Sequence, residues 1–139
     1  NLSFGGPIAP TNNLARQRWD HIMQGLIDAG GIPVCSAGNT QLDGCNYVPG
    51  QSEYCISVGA FDQFGNLYSR TNYGECVNIF APGVAIKSAG TSSTSQYLTR
   101  SGTSAAAPHI TGLISNLLWI NPALTFDHIL YIINNNKQF

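Results

Sequence analysis

Residues 101–109, SGTSAAAPH, place a glycine and two hydroxyl residues directly before the longest apolar segment of the chain. From Ser104 to about Ile120 apolar residues recur at helical spacing without an acidic or strongly basic residue, which predicts a buried helix. Pro108 fits the first turn of such a helix, and Asn121-Pro122 ends it. We therefore expect Ser104 at the helix N-terminus, among free N–H groups and near the positive end of the helix dipole.

A serine at that place has two interpretations. It is a helix N-cap, as most serines before helices are. Alternatively it is a nucleophile, because free N–H groups at a helix N-terminus can stabilise an oxyanion. Spacing alone favours the cap, so other parts of the sequence have to decide between the two.

The rest of the chain alternates strands with helices. A first amphipathic helix is predicted for residues 14–29, ended by Gly30 and Gly31, and a last helix for residues 125–134, capped by Thr125. The serine- and threonine-rich stretch 84–101 is expected to form short antiparallel strands. Four apolar runs are predicted strands: NLSF (1–4), IPVCSAGN (32–39), YCISVGAFD (54–62) and CVNIFAPG (76–83). This alternation indicates an α/β fold with a parallel sheet.

Composition limits the function classes. The 139 residues suggest one domain, and only 9% of them are charged, with a net charge of -1. An ordinary globular protein has about 25% charged residues. The sequence offers no basic stripe for nucleic acid and no apolar run of the ~20 residues that a membrane span needs. We expect neither a nucleic-acid partner nor a membrane span.

The motif around Ser104 closely resembles the nucleophile motif of subtilisin-like serine proteases, Gly-Thr-Ser-x-Ala-x-Pro-His. Two further blocks match the family in order, LSFGGP (2–7) and SAGN (36–39). Smaller matches are NYVPG (46–50), ISVGAFD (56–62), TNYG (71–74) and NIFAPG (78–83). The resemblance covers nearly the whole chain and is closest to the proteinase K-like and proprotein-convertase-9-like branches. It implies a three-layer α/β fold with a mostly parallel sheet, and it favours the nucleophile over the cap.

The resemblance also implies roles for individual residues. Ser104 would attack a peptide carbonyl, while its backbone N–H and the Asn39 side chain stabilise the oxyanion. Ser3, Phe4 and Gly5 would hold the substrate as an added β-strand. The remaining residues of the substrate pocket would be Gly6, Ser36, Ala37, Gly38 and Tyr47. Because the pocket segments 4–6, 36–39 and 47–50 contain no acid, we expect apolar or aromatic rather than basic residues before the cleaved bond.

The base that would activate Ser104 is absent from this sequence. The family triad runs Asp, His, Ser, and its first two members lie upstream of the LSFGGP block. None of His21, His109 and His128 occupies the family position of the base. We therefore expect residues 1–139 to be the C-terminal part of one peptidase domain, inactive alone, with the N-terminal part as a separate or missing chain.

Two function classes remain open. The first is a serine endopeptidase that acts on a peptide or protein substrate. The alternative is a catalytically inactive protein of the same fold that serves as a binding or structural protein in an extracellular assembly. An upstream Asp-Thr/Ser-Gly block and a His-Gly-Thr block would indicate the enzyme.

Four cysteines, Cys35, Cys45, Cys55 and Cys76, match no zinc-binding spacing. Their even number fits two disulfides with three possible connectivities, or buried free thiols. The resemblance implies a Cys45–Cys76 disulfide. Cys35 and Cys55 lie on strands expected to be adjacent, either bonded or as a thiol pair. Disulfides would indicate an oxidising compartment, so we expect a secreted or secretory-pathway protein.

A calcium site is not expected. Members of the family often have an aspartate at the position of Asn78, where it binds calcium with backbone carbonyls. The neutral Asn78 removes a charge on which calcium affinity depends, and Asp43 and Asp62 do not compensate for it. We expect neither a metal nor another cofactor.

Overall fold

The computed structural model describes residues 1–136. Within that range it has three α-helices, which are α1 (Asn13–Asp28), α2 (Thr103–Ile120) and α3 (Phe126–Asn135). The strands of the same range are β1 (Gly6–Pro7), β2 (Val34–Ser36), β3 (Tyr47–Val48), β4 (Ile56–Phe61), β5 (Ile79–Pro82), β6 (Ile86–Ala89) and β7 (Tyr97–Arg100).

The central sheet is parallel and has the order β2-β4-β5. Leu2 extends it by one parallel bridge to Cys35, because the Leu2 N–H donates to the Val34 carbonyl and the Leu2 carbonyl accepts from the Ser36 N–H. The strand predicted for residues 1–4 is therefore wrong beyond Leu2. Ser3 turns away from the sheet and hydrogen-bonds to α2 instead.

Two layers of helix cover this sheet, as the three-layer prediction requires. Buried side chains of the strands pack with α2 and α3 on one face; they include Val34, Ile56, Val58 and Ala60. Cys35 and Cys55 pack with Met23 of α1 in a second cluster. Because successive side chains of a strand point to opposite faces, the neighbours Val34 and Cys35 contribute to different clusters. The α/β fold predicted from the sequence is confirmed.

The helix ends lie within one residue of the predicted ones. Asn12 caps α1, with its Oδ1 accepting from the Ala15 N–H at 3.1 Å. Gly30 ends the same helix with φ +84°, a conformation that glycine adopts without strain. Thr125 caps α3 in a capping box that His128 completes.

The position of Pro108 differs from the prediction. It is the sixth residue of α2 and not part of its first turn, because the helix already begins at Thr103. A proline inside a helix has no N–H to donate to the carbonyl four residues earlier, which here belongs to Ser104. The Ser3 hydroxyl donates to that carbonyl at 3.0 Å and so replaces the missing helical bond.

The prediction that α2 is buried on most sides is wrong for its outer face. Thr103, Ala106, Ala107, Ile110 and Ile114 are buried against the sheet and α3. The C-terminal turn is open, and Trp119 and Ile120 are 88% and 78% exposed. Only one face of the helix has a packing partner in the described chain.

Two small antiparallel ladders complete the fold, and one of them is the pair of antiparallel strands predicted for residues 84–101. In the hairpin of β6 and β7, Ile86 lies opposite Arg100 and Lys87 opposite Thr99. In the second ladder, Gly6 of β1 lies opposite Val48 of β3. No helix within residues 1–136 is both long and apolar enough to span a bilayer.

Candidate active site

The Asn39 side chain caps the start of α2. The Thr103 N–H donates to Asn39 Oδ1 at 2.9 Å, and the Thr103 hydroxyl lies 3.3 Å from the same oxygen. A backbone N–H can only donate, so the atom that faces it must be the oxygen of the carboxamide. The Asn39 Nδ2 group therefore remains as a donor, and it has no hydrogen-bond partner within residues 1–136.

The backbone N–H of Ser104 is the second free donor at this helix end. Thr103 N–H is taken by Asn39, and the N–H groups of Ala105 and Ala106 donate to the Gly102 carbonyl. In the described chain the Ser104 N–H has no acceptor. A free backbone donor at the positive end of a helix, beside a free carboxamide donor, is an arrangement that can stabilise an oxyanion.

Gly102 permits the close approach of Asn39. It is the N-cap of α2 with φ +143°. A Cβ at this position would be 3.2 Å from both Nδ2 and Oδ1 of Asn39. The cap interpretation of Ser104 therefore does not apply, since the cap is Gly102 and its capping side chain comes from Asn39.

The Ser104 side chain is exposed and contacts Ser3. Its Oγ donates to the Ser3 carbonyl at 3.1 Å, in addition to the bond from the Ser3 hydroxyl to the Ser104 carbonyl. Ser3 is in turn held by Asn1, whose Nδ2 donates to its Oγ at 2.9 Å. The first segment of the chain and the start of α2, about a hundred residues apart, thus meet at the proposed nucleophile.

The histidines of the described chain do not hydrogen-bond to Ser104. His109 uses Nδ1 for the Ala105 carbonyl at 2.9 Å, one helical turn back. His128 belongs to the cap of α3, and His21 lies on the exposed side of α1. That none of the three is the general base stays a prediction.

Two glycine-containing segments of the substrate pocket implied by the resemblance pack against Tyr47. A Cβ on Gly5 would be 2.6 Å from Tyr47 Cε1, and a Cβ on Gly38 would be 2.8 Å from Tyr47 Cδ2 and Cε2. The Tyr47 ring therefore lies between the two backbones, and burial raises the pKa of its phenol. Ser36 and Ala37 are buried, and Gly6 lies opposite Val48 in the β1–β3 ladder.

The Phe4 side chain is exposed and packs near α1. Its side chain is 53% exposed, and its ring centroid lies 6.2 Å from that of Trp19 on α1. The structure thus brings Ser3, Asn39 and Ser104 together at the start of α2, whereas Phe4 packs toward α1.

Several residues that organise the site were given no role at the sequence level. The side chain of Asn72 is fully buried, accepts from the N–H groups of Thr40 and Leu42 and from the Thr40 hydroxyl, and donates to the Ala37 carbonyl. It thereby fixes the chain on both sides of Asn39. The block TNYG (71–74) marked this position, but a family match alone does not say what an asparagine holds.

Thr103 and Arg16 are the other organising residues. The Thr103 hydroxyl accepts from the Gly38 N–H at 3.1 Å, so it joins the loop before Asn39 to α2. Arg16 of α1 donates to the Cys45 carbonyl at 2.7 Å and to Asn46 Oδ1 at 3.1 Å. It fixes the segment that leads into Tyr47, and nothing in the local sequence pattern of the helix indicates this contact.

The structure contains the expected Cys45–Cys76 disulfide and also a Cys35–Cys55 disulfide. The first is buried between the sheet and α1, and the second joins the loop before Tyr47 to the loop before β5. The choice left open for Cys35 and Cys55 is thus resolved in favour of a bond.

The other residues weighed for calcium have structural contacts. Asn78 Oδ1 accepts from the Ser57 N–H at 2.7 Å and so joins β4 to the start of β5. Asp43 accepts from the Cys45 N–H at 2.9 Å. Asp62 closes a turn, and its hydrogen bonds with the side chain and N–H of Asn66 and with the Phe64 N–H lower the pKa of its carboxyl. That the chain binds no metal stays a prediction.

Relatives in sequence and structure agree on one family. The Subtilase family profile matches residues 1–138. A subtilisin-like serine protease of Davidiella tassiana is 38% identical over 123 residues, which are 88% of this chain and 22% of that protein. A subtilase-type proteinase of Saccharomyces cerevisiae is 37% identical, with 98% of this chain and 27% of that protein covered.

Two solved structures share the fold. A cold-adapted subtilisin-like serine proteinase matches with a TM-score of 0.83 and 34% identity, over 97% of this chain and 46% of that one. A protease from Pseudoalteromonas arctica matches with a TM-score of 0.84 and 25% identity, over 100% and 44%. The chain therefore spans about a quarter of its curated relatives and less than half of these solved chains. On both lines of comparison, the chain belongs to the Subtilase family, the family of subtilisin-like serine proteases.

Proposed function

We propose that this chain is the nucleophile-bearing part of a subtilisin-like serine endopeptidase. One observation carries the proposal. Asn39 accepts a hydrogen bond from the N–H of Thr103, which leaves its Nδ2 donor free beside the free N–H of Ser104. A purely structural cap would satisfy the first turn of α2, whereas here two unpaired donors flank an exposed hydroxyl.

The proposed reaction is acyl transfer through Ser104. Its Oγ forms a bond to the carbonyl carbon of the substrate while a base takes the hydroxyl proton. The C–N bond then breaks, and the same proton goes to the leaving amine. Water repeats the sequence in the second half and releases the acid. In both halves the carbonyl oxygen gains negative charge, which the Ser104 N–H and Asn39 Nδ2 stabilise.

The base is proposed to be a histidine imidazole from residues outside this sequence, oriented by an aspartate. This is supported by the histidines described above, which do not hydrogen-bond to Ser104. It is also supported by the fraction of each relative that this chain represents. Residues 1–139 are then the C-terminal part of one peptidase domain, and alone they are inactive.

The substrate is proposed to bind as an extended strand along Ser3, Phe4 and Gly5. The side chain before the cleaved bond would lie along the backbones of Gly5 and Gly38, next to the Tyr47 ring that packs between them. This surface is aromatic and its segments carry no carboxylate, so an apolar side chain is favoured over a basic one.

The compartment follows from the disulfides. Two disulfides within one small chain persist in an oxidising environment, so we propose that the protein is secreted or matures in the secretory-pathway lumen.

The proposal is tested on the protein produced in full from its gene. A fluorophosphonate probe should label Ser104, which peptide mapping by mass spectrometry would locate, and the Ser104→Ala variant should remain unlabelled. A second arm measures peptide hydrolysis by both proteins. Absence of labelling in the folded full-length protein would overturn the proposal and favour the binding or structural alternative.

A further inference from the structure

Five consecutive hydroxyl residues, TSSTS (91–95), form the tip of the β6–β7 hairpin, and all five are exposed. The base of the hairpin adjoins α2, where the Gly102 N–H donates to the Gly83 carbonyl at 2.7 Å. The four residue pairs of the ladder then span roughly 10 Å, and the tip lies beyond them. Residues 91–95, the hairpin tip, are therefore at the end of the hairpin that is remote from α2.

The hydroxyl groups of the hairpin tip do not hold its backbone in place. Gln96 does so instead. Its carbonyl accepts from the Gly90 N–H at 2.7 Å, and its Oε1 accepts from the Ser92 N–H at 2.9 Å. Its own N–H donates to the Ser93 carbonyl at 3.3 Å. None of the five hydroxyls makes a hydrogen bond within residues 1–136, so each is accessible and its loss should not unfold the hairpin.

The composition of the hairpin tip indicates that it stays in solvent in the complete protein. Residues 90–96 carry neither a large apolar side chain nor a charge. Burial of a hydroxyl without a hydrogen-bond partner costs free energy, and here five such groups are adjacent. A surface that packs against another part of a protein is typically apolar, as the outer face of α2 is at Trp119 and Ile120. The hairpin tip has the opposite character.

We propose that the hairpin tip is a site of O-linked glycosylation. Segments rich in serine and threonine are the usual acceptors of O-linked sugars. A glycosyltransferase would join one of these hydroxyl oxygens to C1 of a sugar supplied as a glycosyl phosphate donor. The bond between C1 and the phosphate oxygen breaks, the phosphate leaves with the electron pair, and a base of the transferase takes the hydroxyl proton. The inference rests on the secretory compartment proposed above.

The sequon for N-linked glycosylation is a less suitable site. The pattern Asn-x-Ser/Thr occurs in this sequence only as Asn1-Leu2-Ser3. The atom that would carry the sugar, Asn1 Nδ2, donates to Ser3 Oγ, and the Ser3 carbonyl accepts from the Ser104 hydroxyl. A sugar on Asn1 would therefore stand beside the proposed nucleophile, whereas sugars on residues 91–95 lie beyond the ladder of the hairpin.

The test uses the full-length protein secreted by a yeast host. Trypsin cuts after Lys87 and Arg100, so it releases the hairpin tip within one peptide, residues 88–100. We expect most copies of this peptide to carry one or more hexoses. Electron-transfer fragmentation in the mass spectrometer should place these sugars on residues 91–95.

Two variants make the assignment specific. Replacing all five residues of the hairpin tip with alanine should leave a secreted, folded protein, because Gln96 holds the backbone, and its peptide 88–100 should carry no sugar. The matched control is Ser88→Ala/Thr99→Ala, which removes the other two hydroxyls of the same peptide. Both are exposed but lie on the strands, and their loss should leave the sugar content unchanged.

The outcomes separate this inference from the proposed function. Recovery of peptide 88–100 without sugar from the secreted, folded protein would overturn the inference, and so would a phosphate in place of the hexose. It also fails if the sugar is lost in Ser88→Ala/Thr99→Ala and persists in the five-alanine variant. Labelling of Ser104 by a fluorophosphonate tests the proposed function independently of all three results. If the protein does not enter the secretory pathway, the proposed compartment fails and this inference fails with it.

Discussion

Ser3 and Ser104 hydrogen-bond to each other twice, once through each hydroxyl and the other residue's carbonyl. The Ser3 hydroxyl donates to the Ser104 carbonyl at 3.0 Å, and the Ser104 hydroxyl donates to the Ser3 carbonyl at 3.1 Å. The first bond exists because Pro108 cannot donate to the Ser104 carbonyl. The second holds the proposed nucleophile against the segment proposed to pair with the substrate.

Ser3→Ala should lower kcat of the full-length protein about threefold to tenfold and leave KM nearly unchanged. The variant leaves the Ser104 carbonyl without its donor, and a missing hydrogen bond to such a group costs on the order of 1 kcal/mol. Ser3→Thr retains a hydroxyl and should retain activity. Steady-state kinetics on a peptide substrate would measure both.

The same prediction has a specific rescue. Pro108→Ala restores a backbone N–H that can donate to the Ser104 carbonyl, so the double variant Ser3→Ala/Pro108→Ala should recover most of the lost kcat. If Ser3→Ala lowers kcat by the same factor with and without Pro108→Ala, Ser3 does not act through this carbonyl.

Asn39→Asp should separate the two roles of Asn39. The carboxylate can still accept from the Thr103 N–H, so the melting temperature should change little. It cannot donate to an oxyanion, so kcat should fall by about 10²–10³, which is the loss that subtilisin itself shows when its oxyanion-hole asparagine is removed. Asn39→Leu, which loses both functions, should show the same kcat defect together with a lower melting temperature. Near-normal kcat in Asn39→Asp would remove Asn39 from the mechanism.

Asn72→Ala should destabilise the protein by about 2–4 kcal/mol, because three buried or partly buried backbone groups lose their partner. Urea unfolding at constant m-value would measure the loss. The matched control is Asn66→Ala in the exposed Asp62 turn, which should change the unfolding free energy by no more than about 0.5 kcal/mol. Equal effects of the two variants would contradict a special role for Asn72.

The fold could be predicted because its determinants are local. The apolar periodicity of α1 and α2, the cap at Thr125 and the glycines after α1 each depend on a few neighbouring residues. The errors arose where distant segments intervene. The capping of α2 depends on Asn39, and the end of the first strand depends on the turn of Ser3 toward Ser104. Periodicity within α2 also cannot show that its outer face has no packing partner within residues 1–136.

The candidate site shows the same limit. The sequence identified Ser104 and Asn39 as candidates because each lies in a recognisable motif, SGTSAAAPH and SAGN respectively. Arg16 and Asn72 act through contacts with residues far away in the chain. No local pattern distinguishes them from ordinary surface or turn residues, so the structure was needed to find them.

Tyr47→Gly should shift the preference for the side chain before the cleaved bond toward larger residues. The Tyr47 ring lies between Gly5 and Gly38, so its removal opens space between the two backbones. We expect kcat/KM for Phe relative to Ala to rise about tenfold, in line with the effect of one or two methylenes in an apolar pocket. Tyr47→Phe keeps the ring and should keep the ratio. An unchanged ratio in Tyr47→Gly would place the pocket elsewhere.

Mild reduction should open Cys45–Cys76 before Cys35–Cys55. The loops closed by the two bonds have similar lengths, 31 and 20 residues, so chain entropy alone gives each about 3–4 kcal/mol. Exposure differs, because Cys35 and Cys55 are at most 1% exposed and Cys45 and Cys76 are partly exposed. Differential alkylation with mass spectrometry would give the order. Since Cys45 adjoins the segment that holds Tyr47, peptide hydrolysis should decline in the first step, while the second step should follow global unfolding. Simultaneous loss of both bonds would show that the Cys45 loop does not open independently of the core.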